Sequence, residues 1–388
     1  MRKVYLDHAA TTPLNEEVLN EMLPYLKEHF GNPSSIHSFG REARRAVEES
    51  RERVAAALGA SAEEIIFTSG ATEANNLAIR GIARAQQKKG NHIITSAVEH
   101  HAVYDTCAAL QKEGFDVTFL PVDEYGMVSV DAVAAAITDK TILVTIMLAN
   151  NEVGTIMPIA EIGQLCREHD IIFHTDAVQA IGNIPVNVKD LNVDLLSLTA
   201  HKFYGPKGVG ALYLRKGTRL NVYHYGGAQE RKLRPGTENV PGIVGLGKAI
   251  ELAVKDLEAK TNRIKVLRDR LQEGLLAIEH TKLNGHPQQR LPGNLNVSIL
   301  FVEGESLILS LDLKGIAVSS GSACTSGSLD PSHVLMAMGL DHQTAHGSLR
   351  FTLGVNNTEE EIDYVLEVLP DIVTRLRSMS PVYKGSNK

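Results

Sequence analysis

The sequence predicts an α/β protein, with a mostly parallel central sheet covered by helices on both faces and a smaller α+β domain beside it. Between about residues 60 and 215, short apolar runs alternate with amphipathic stretches of about ten residues or more, the rhythm of βαβ units whose strands are buried on both sides. A long helical pattern then runs from Val244 to Ile278, with apolar residues near helical spacing. Beyond it, strands and helices follow in the looser order of an α+β unit.

In chain order, Arg41–Leu58 reads as a helix closed by Gly59, because glycine enters the left-handed conformation that ends helices without steric cost. Strands are expected at Glu64–Thr68, His92–Thr95, Val117–Leu120, Ile142–Leu148, Ile171–His174, Leu195–Thr199 and Val209–Leu214. Helices between them include Glu73–Lys88, Ala102–Lys112 and Ile159–His169. The pattern with Leu246, Ile250, Leu257, Ile264, Leu267 and Leu271 is expected to bridge to the second domain. There the sequence predicts strand Asn294–Leu300, helix Gly304–Leu313, a short strand near Ala317, strand Ser348–Leu353 and helix Thr358–Arg377, opened by a Thr358 cap. The first dozen residues are expected to fold back across the junction. The division expected is 14–257 for the large domain and 1–13 with 258–388 for the small one.

Composition narrows the function. Hydrophobic residues make up 43% and charged residues 22% of 388, which is ordinary globular usage. No apolar run approaches the ~20 residues of a membrane helix, and the start MRKVYLDHAATTP lacks a signal-peptide apolar region; a cytoplasmic protein is expected. The formal net charge of −7 argues against a general nucleic-acid surface. Cys107, Cys166 and Cys324 show no CxxC spacing, so neither a zinc knuckle nor a disulfide framework is indicated. Cys107 and Cys166 lie among apolar residues in helical patterns and read as buried small hydrophobes.

Ligands of parallel sheets bind beyond the carboxyl ends of the strands. After the first strand, Ser69-Gly70-Ala71-Thr72 opens a helix with small residues, and backbone N–H groups at a helix start suit an anion. Glu99-His100-His101 follow the second strand; Asn150-Asn151-Glu152 follow the run Ile142–Leu148; and His174, Asp176 and Gln179 stand at and after another strand end. Finally LLSLT runs into Ala200-His201-Lys202 and the turn Gly205-Pro206-Lys207-Gly208. Singly, each reads as a capped turn, a structural histidine or a solvated lysine. Together they match one cofactor. Pyridoxal phosphate needs a lysine for its Schiff base, a phosphate cradle, a carboxylate opposite the ring nitrogen, a flat side chain against the ring and a donor to its hydroxyl. Lys202, the Ser69–Thr72 turn, Asp176, His100 and Gln179 supply these types in order.

At these residues the chain resembles the NifS/IscS-type cysteine desulfurases, within the fold-type-I, aspartate-aminotransferase-like enzymes that use pyridoxal phosphate (class-V aminotransferase-like). The resemblance spans nearly the whole chain: YLDHAATTP at Tyr5–Pro13, FGNPSSIHSFG at Phe30–Gly40, SGATEANN at Ser69–Asn76, EHHAV at Glu99–Val103 and NNEVG at Asn150–Gly154. It continues with HTDAVQ at His174–Gln179, HKFYGPKG at His201–Gly208, RPGTEN at Arg234–Asn239 and SSGSACTSG at Ser319–Gly327. The SSGSAC pattern with its Ser/Gly-rich continuation is similar to the longer-loop group, not to the group with an R-x-G-H-H-C pattern.

The resemblance implies a Schiff base on Lys202. It implies that Ala71, Thr72, Thr199 and His201 hold the phosphate end, with Thr237 contributed by the other subunit of a homodimer. His100 would stack on the ring and move protons, Asp176 would pair with the ring nitrogen, and Gln179 with the ring hydroxyl. Asn151, beside the cofactor, and Arg350 would bind the carboxylate of L-cysteine; otherwise Arg350 would pair with an acid such as Asp312 or Glu305. Cys324 would take the sulfur as a persulfide, leaving L-alanine, and pass it to acceptor proteins of iron–sulfur cluster assembly or tRNA thiolation. No resident metal is implied, although Cys324 could ligate an iron–sulfur cluster transiently during transfer. The small polar residues around Cys324 predict a mobile segment. Rival readings are other reactions on this scaffold (aminotransferase, selenocysteine lyase or cysteine-sulfinate desulfinase), a hydrolase with a metal among His100, His101, His174 and Asp176, and a non-catalytic sulfur carrier.

Overall fold

The structure is a computed structural model that describes residues 2–320, 331–381 and 383. Cys324, and with it the expectation of a mobile segment, lies outside the described residues.

After a short strand β1 (Val4–Tyr5) come helices α1 (Glu16–Lys27) and α2 (Ser38–Leu58). The alternating part then runs β2 (Ile65–Thr68), α3 (Ala71–Gln86), β3 (His92–Ser96), α4 (His101–Lys112), β4 (Asp116–Leu120), α5 (Val130–Ala136), β5 (Thr141–Thr145), α6 (Ile159–Glu168), β6 (Ile172–Asp176), β7 (Leu195–Thr199) and β8 (Gly210–Leu214). Helices α7 (Val240–Val254) and α8 (Leu257–Leu276) follow. The chain then continues through β9 (Thr281–Asn284), β10 (Asn294–Ile299), α9 (Gly304–Asp312), β11 (Ile316–Ala317), α10 (His333–Ala337), α11 (His342–His346), β12 (Ser348–Thr352) and α12 (Glu359–Met379).

The central sheet has the order β2-β8-β7-β6-β5-β3-β4. Pairs from β4 through β7 are parallel, and β8 alone runs opposite to its neighbours β2 and β7. Gly59 caps α2 in the left-handed conformation, φ 69°, as expected. From β3 the chain first builds outward to β4 and then returns to place β5 on the other side. The ends of β3 and β5 therefore flank a switch point, where α/β sheets leave a crevice for ligands. His100 follows the first of these strands and Asn151 the second.

A separate apolar core gathers Val4, Leu6, Ile264, Leu271, Leu295, Phe351 and Val373 around the sheet β12-β10-β9. The N-terminal segment does fold back: β1 pairs in parallel with β11, and Asp7 bridges Thr352.

The expected bridging helix is two helices. Asp256 takes the left-handed conformation (φ 51°) between α7 and α8, a conformation that aspartate tolerates better than most residues. Lys260 Nζ donates to the carbonyls of Leu252 (2.6 Å) and Lys255, satisfying the open end of α7. Cys107 and Cys166 are fully buried, and burial pushes both thiols up to about 12.

Candidate active site

Lys202 stands where β7 runs out. Ala200–Lys202 make a single 3-10 turn, followed by Tyr204 at φ 66°. The N-terminal segment fixes that turn. Thr12 donates its N–H (2.9 Å) and hydroxyl (3.0 Å) to the His201 carbonyl, and its oxygen accepts the Tyr204 N–H at 2.7 Å. Lys202 Nζ then donates to the carbonyls of Ala9 (2.5 Å) and Ala10 (2.8 Å). Gln179 Nε2 donates to the same Ala9 oxygen at 3.0 Å. His201 Nδ1 lies 3.2 Å from Thr11 Oγ1. Burial, with help from Lys202 and Lys207, lowers the His201 pKa to about 4, so the ring is neutral at pH 7.

Asp176 ends β6 and is buried. Its Oδ1 accepts the Val178 N–H at 3.0 Å, and its Oδ2 accepts Asn75 Nδ2 at 2.6 Å. Asn75 belongs to α3, whose first residue follows Gly70 with no side-chain cap. That leaves helix-start N–H groups available to an anion. The turn can sit against the end of β7 because β8 approaches closely at Gly210. A Cβ there would stand 2.6 Å from the Leu198 carbonyl oxygen and 2.8 Å from the Gly70 backbone. Arg234 Nε reaches Glu73 at 2.8 Å, tying the loop that carries Thr237 to α3. Thr237 itself is exposed.

His100 caps α4: its Nδ1 accepts the Ala102 N–H at 3.1 Å. The proton of the neutral ring is therefore on Nε2, and burial lowers the pKa of the ring. The preceding Glu99 is fully buried; its Oε1 accepts from Ser96 Oγ (2.7 Å) and the Met147 N–H (2.9 Å). Burial, with Asp176 nearby, raises the Glu99 pKa to about 8.

On β12, Arg350 is 2% exposed. Nη1 donates to the Asn151 carbonyl at 3.1 Å and Nη2 to Asp7 Oδ1 at 2.9 Å. Its ion pair is thus with Asp7, not with Asp312 or Glu305. Arg350 Nε and Asn151 Oδ1 are both buried without a partner, and each unsatisfied group costs about 1–3 kcal/mol. The Arg350 backbone pairs with Ser319 (2.7 Å, N–H to carbonyl), so the arginine strand also holds the base of the segment leading to Cys324.

His174 is not a site residue. Its two ring nitrogens meet Thr145 Oγ1 (2.8 Å) and Ser197 Oγ (3.0 Å) inside the sheet. Among the described residues, no three His, Cys, Asp or Glu side chains gather as metal ligands would. A cleft of about 320 Å³ lies beside Lys202 and Gln179. Asp176, His100 and Arg350 do not line it, so it is a groove behind the site. Sequence reasoning gave no role to Asn75, Glu99 or Asp7, although each lies inside a motif that it quoted.

Residues 4–365 match the family described as aminotransferase class-V. The chain is 59% identical to cysteine desulfurase IscS of Methanosarcina thermophila, over 98% of this chain and 94% of that one. It is 58% identical to cysteine desulfurase IscS of Clostridium botulinum (strain Hall), over 100% of this chain and 98% of that one. A solved structure titled NIFS-like protein superimposes with a TM-score of 0.92 at 41% identity, covering 97% of this chain and 100% of the other. The chain belongs to the class-V aminotransferase family, among its NifS/IscS-type cysteine desulfurases.

Proposed function

We propose that this protein removes sulfur from L-cysteine with pyridoxal phosphate bound covalently at Lys202, storing the sulfur as a persulfide on Cys324. One observation carries the reading. Lys202 and Gln179 converge on a single carbonyl oxygen, that of Ala9, while Asp176, three residues before Gln179, is held by the helix whose uncapped start would cradle a phosphate.

These residues fit the cofactor. Ala71 and Thr72 open the anion-accepting helix, and Thr199 Oγ1 lies 3.8 Å from where a Cβ at Gly70 would stand. With His201 they would hold the phosphate end, while Asp176 would offer a fixed carboxylate to a ring nitrogen. When bound, pyridoxal phosphate supplies an electrophilic carbon for the substrate amine and a ring that draws electrons from the substrate Cα. Lys202, which would carry the group, would be the base for the Cα proton. The neutral His100 ring presents a flat face and a proton on Nε2. Arg350 and the Asn151 amide N–H group receive the substrate carboxylate, which would satisfy the orphaned Arg350 Nε. Cys324 attacks the substrate sulfur as thiolate: the S–S bond forms as the substrate C–S bond breaks, leaving L-alanine and a persulfide. Acceptor proteins of iron–sulfur cluster assembly or tRNA thiolation then take the sulfur.

The same reading makes the protein a homodimer, with Thr237 reaching the phosphate end of the second subunit. The exposed Phe30 (76%), Ile36 (92%) and Phe39 (51%) support it as an apolar patch suited to a second copy. Residues 14–257 would form the cofactor domain, and 1–13 with 258–388 the smaller one, supported by the separate apolar core around β10 and β12. No described helix is long and apolar enough to cross a membrane, in keeping with a cytoplasmic place of action. Borohydride reduction followed by peptide mapping tests the cofactor assignment. The pyridoxyl group is expected on Lys202, and its recovery on another lysine would end the assignment.

A further inference from the structure

We propose that Asp7 is a positioning residue that tempers the grip of Arg350 on the substrate carboxylate, keeping cysteine binding and alanine release in balance. The proposal rests on the reading of Arg350 as the carboxylate anchor.

A guanidinium only 2% exposed requires a counter-charge. Two carboxylates face it. Glu152 is buried, accepts the Ser332 hydroxyl, and burial raises its pKa to about 7, so it carries only part of a charge at neutral pH. Asp7, 2.9 Å from Nη2 and with its side chain 17% exposed, supplies the main compensation. An incoming carboxylate therefore meets a fork already engaged once at each of Nη1 and Nη2, with Nε unpartnered and one further N–H on each terminal nitrogen.

Asp7 is also held in place. Its carbonyl accepts the Ala10 N–H (3.0 Å) and the Tyr5 hydroxyl (3.0 Å), while the Leu6 carbonyl and His8 N–H flanking it bond to Thr352. The same turn presents the Ala9 and Ala10 carbonyls to Lys202. One turn thus sets both the arginine that receives the carboxylate and the lysine at the reacting carbon. Two carboxylates sharing one fork repel each other, so the charge of Asp7 weakens whatever carboxylate binds beside it.

The test uses holoenzyme and butyrate, which has the cysteine skeleton with a methyl in place of the thiol and no amine to react at Lys202. Affinity is read by NMR titration. Asp7→Asn keeps the size and one acceptor but removes the charge. It is expected to tighten butyrate on the order of tenfold, about 1.4 kcal/mol, and to lower KM for cysteine and kcat together as alanine leaves more slowly. Asp7→Glu, which restores the charge, should return butyrate affinity to near the wild-type value. If Asp7→Asn does not fold, Asp7→Ser carries the same expectation. Unchanged or weaker butyrate binding in a folded, charge-removed variant overturns the proposal. Arg350→Ala separates the two readings: it should abolish butyrate binding, and unchanged binding there would instead remove Arg350 as the carboxylate anchor.

Discussion

Replacing Glu230 with glutamine should loosen the loop that leads to Thr237. Glu230, 6% exposed, meets Arg51, 4% exposed, through two hydrogen bonds of 2.8 and 2.7 Å, and its Oε2 also accepts the Phe67 N–H at 2.8 Å. The pair holds a strained turn. Glu230, Arg231 and Lys232 all lie at positive φ (43°, 54° and 67°), and the left-handed conformation costs about 1–2 kcal/mol per non-glycine residue, or roughly 3–6 kcal/mol for the three. Breaking a buried ion pair costs about 3–5 kcal/mol. Arg51 keeps a second contact, Nε to Glu48 at 3.1 Å, but that carboxylate is 41% exposed and less able to compensate. The low end, about 3 kcal/mol, is therefore expected. The assay is urea unfolding, with cofactor retention on dialysis as the second readout, because Arg234 and Thr237 lie just beyond the turn. A loss below about 1 kcal/mol in Glu230→Gln, with cofactor retained, would refute the argument that this pair holds the strain.

Two further outcomes are expected. Glu99, with its folded pKa raised to about 8, binds a proton that the unfolded chain releases near pH 4.3. Its contribution is fully present below that value and is lost as pH rises through about 8, with Glu152 adding a similar fall that ends near 7. Glu99→Gln should therefore flatten the decline in unfolding free energy between pH 5 and 8, measured by urea titration; an unaltered slope would show that Glu99 is already ionised in the folded protein. Cys107→Ser and Cys166→Ser, at fully buried packing positions, should lower stability but keep alanine production per folded molecule, and loss of turnover without loss of fold would give either cysteine a chemical role.

The sheet was legible in the sequence because each strand is a short apolar run bounded by polar residues, and the residues proposed for the site stand at or after strand ends. Asp176, Lys202 and His100 are singled out as candidates for that reason. Helix α1 and strand β9 escaped notice because α1 buries only Val18 and Met22 and β9 is largely polar. The break at Asp256 was hidden because no glycine or proline marks it; the Lys260 side chain that caps the end of α7 there comes from the following helix. The roles of Asn75 and Asp7 had no local signal at all. Each arises from a contact between residues far apart in the chain, Asn75 with Asp176 and Asp7 with Arg350, and only the folded topology brings these together.

The sulfur itself gives the most direct test. Wild-type holoenzyme is incubated with L-cysteine labelled with heavy sulfur, digested without reductant, and mapped by mass spectrometry. The account predicts one labelled persulfide, on Cys324, with alanine released in equal amount, and neither product from Cys324→Ser. Label on Cys107 or Cys166, or normal alanine release by Cys324→Ser, would contradict it.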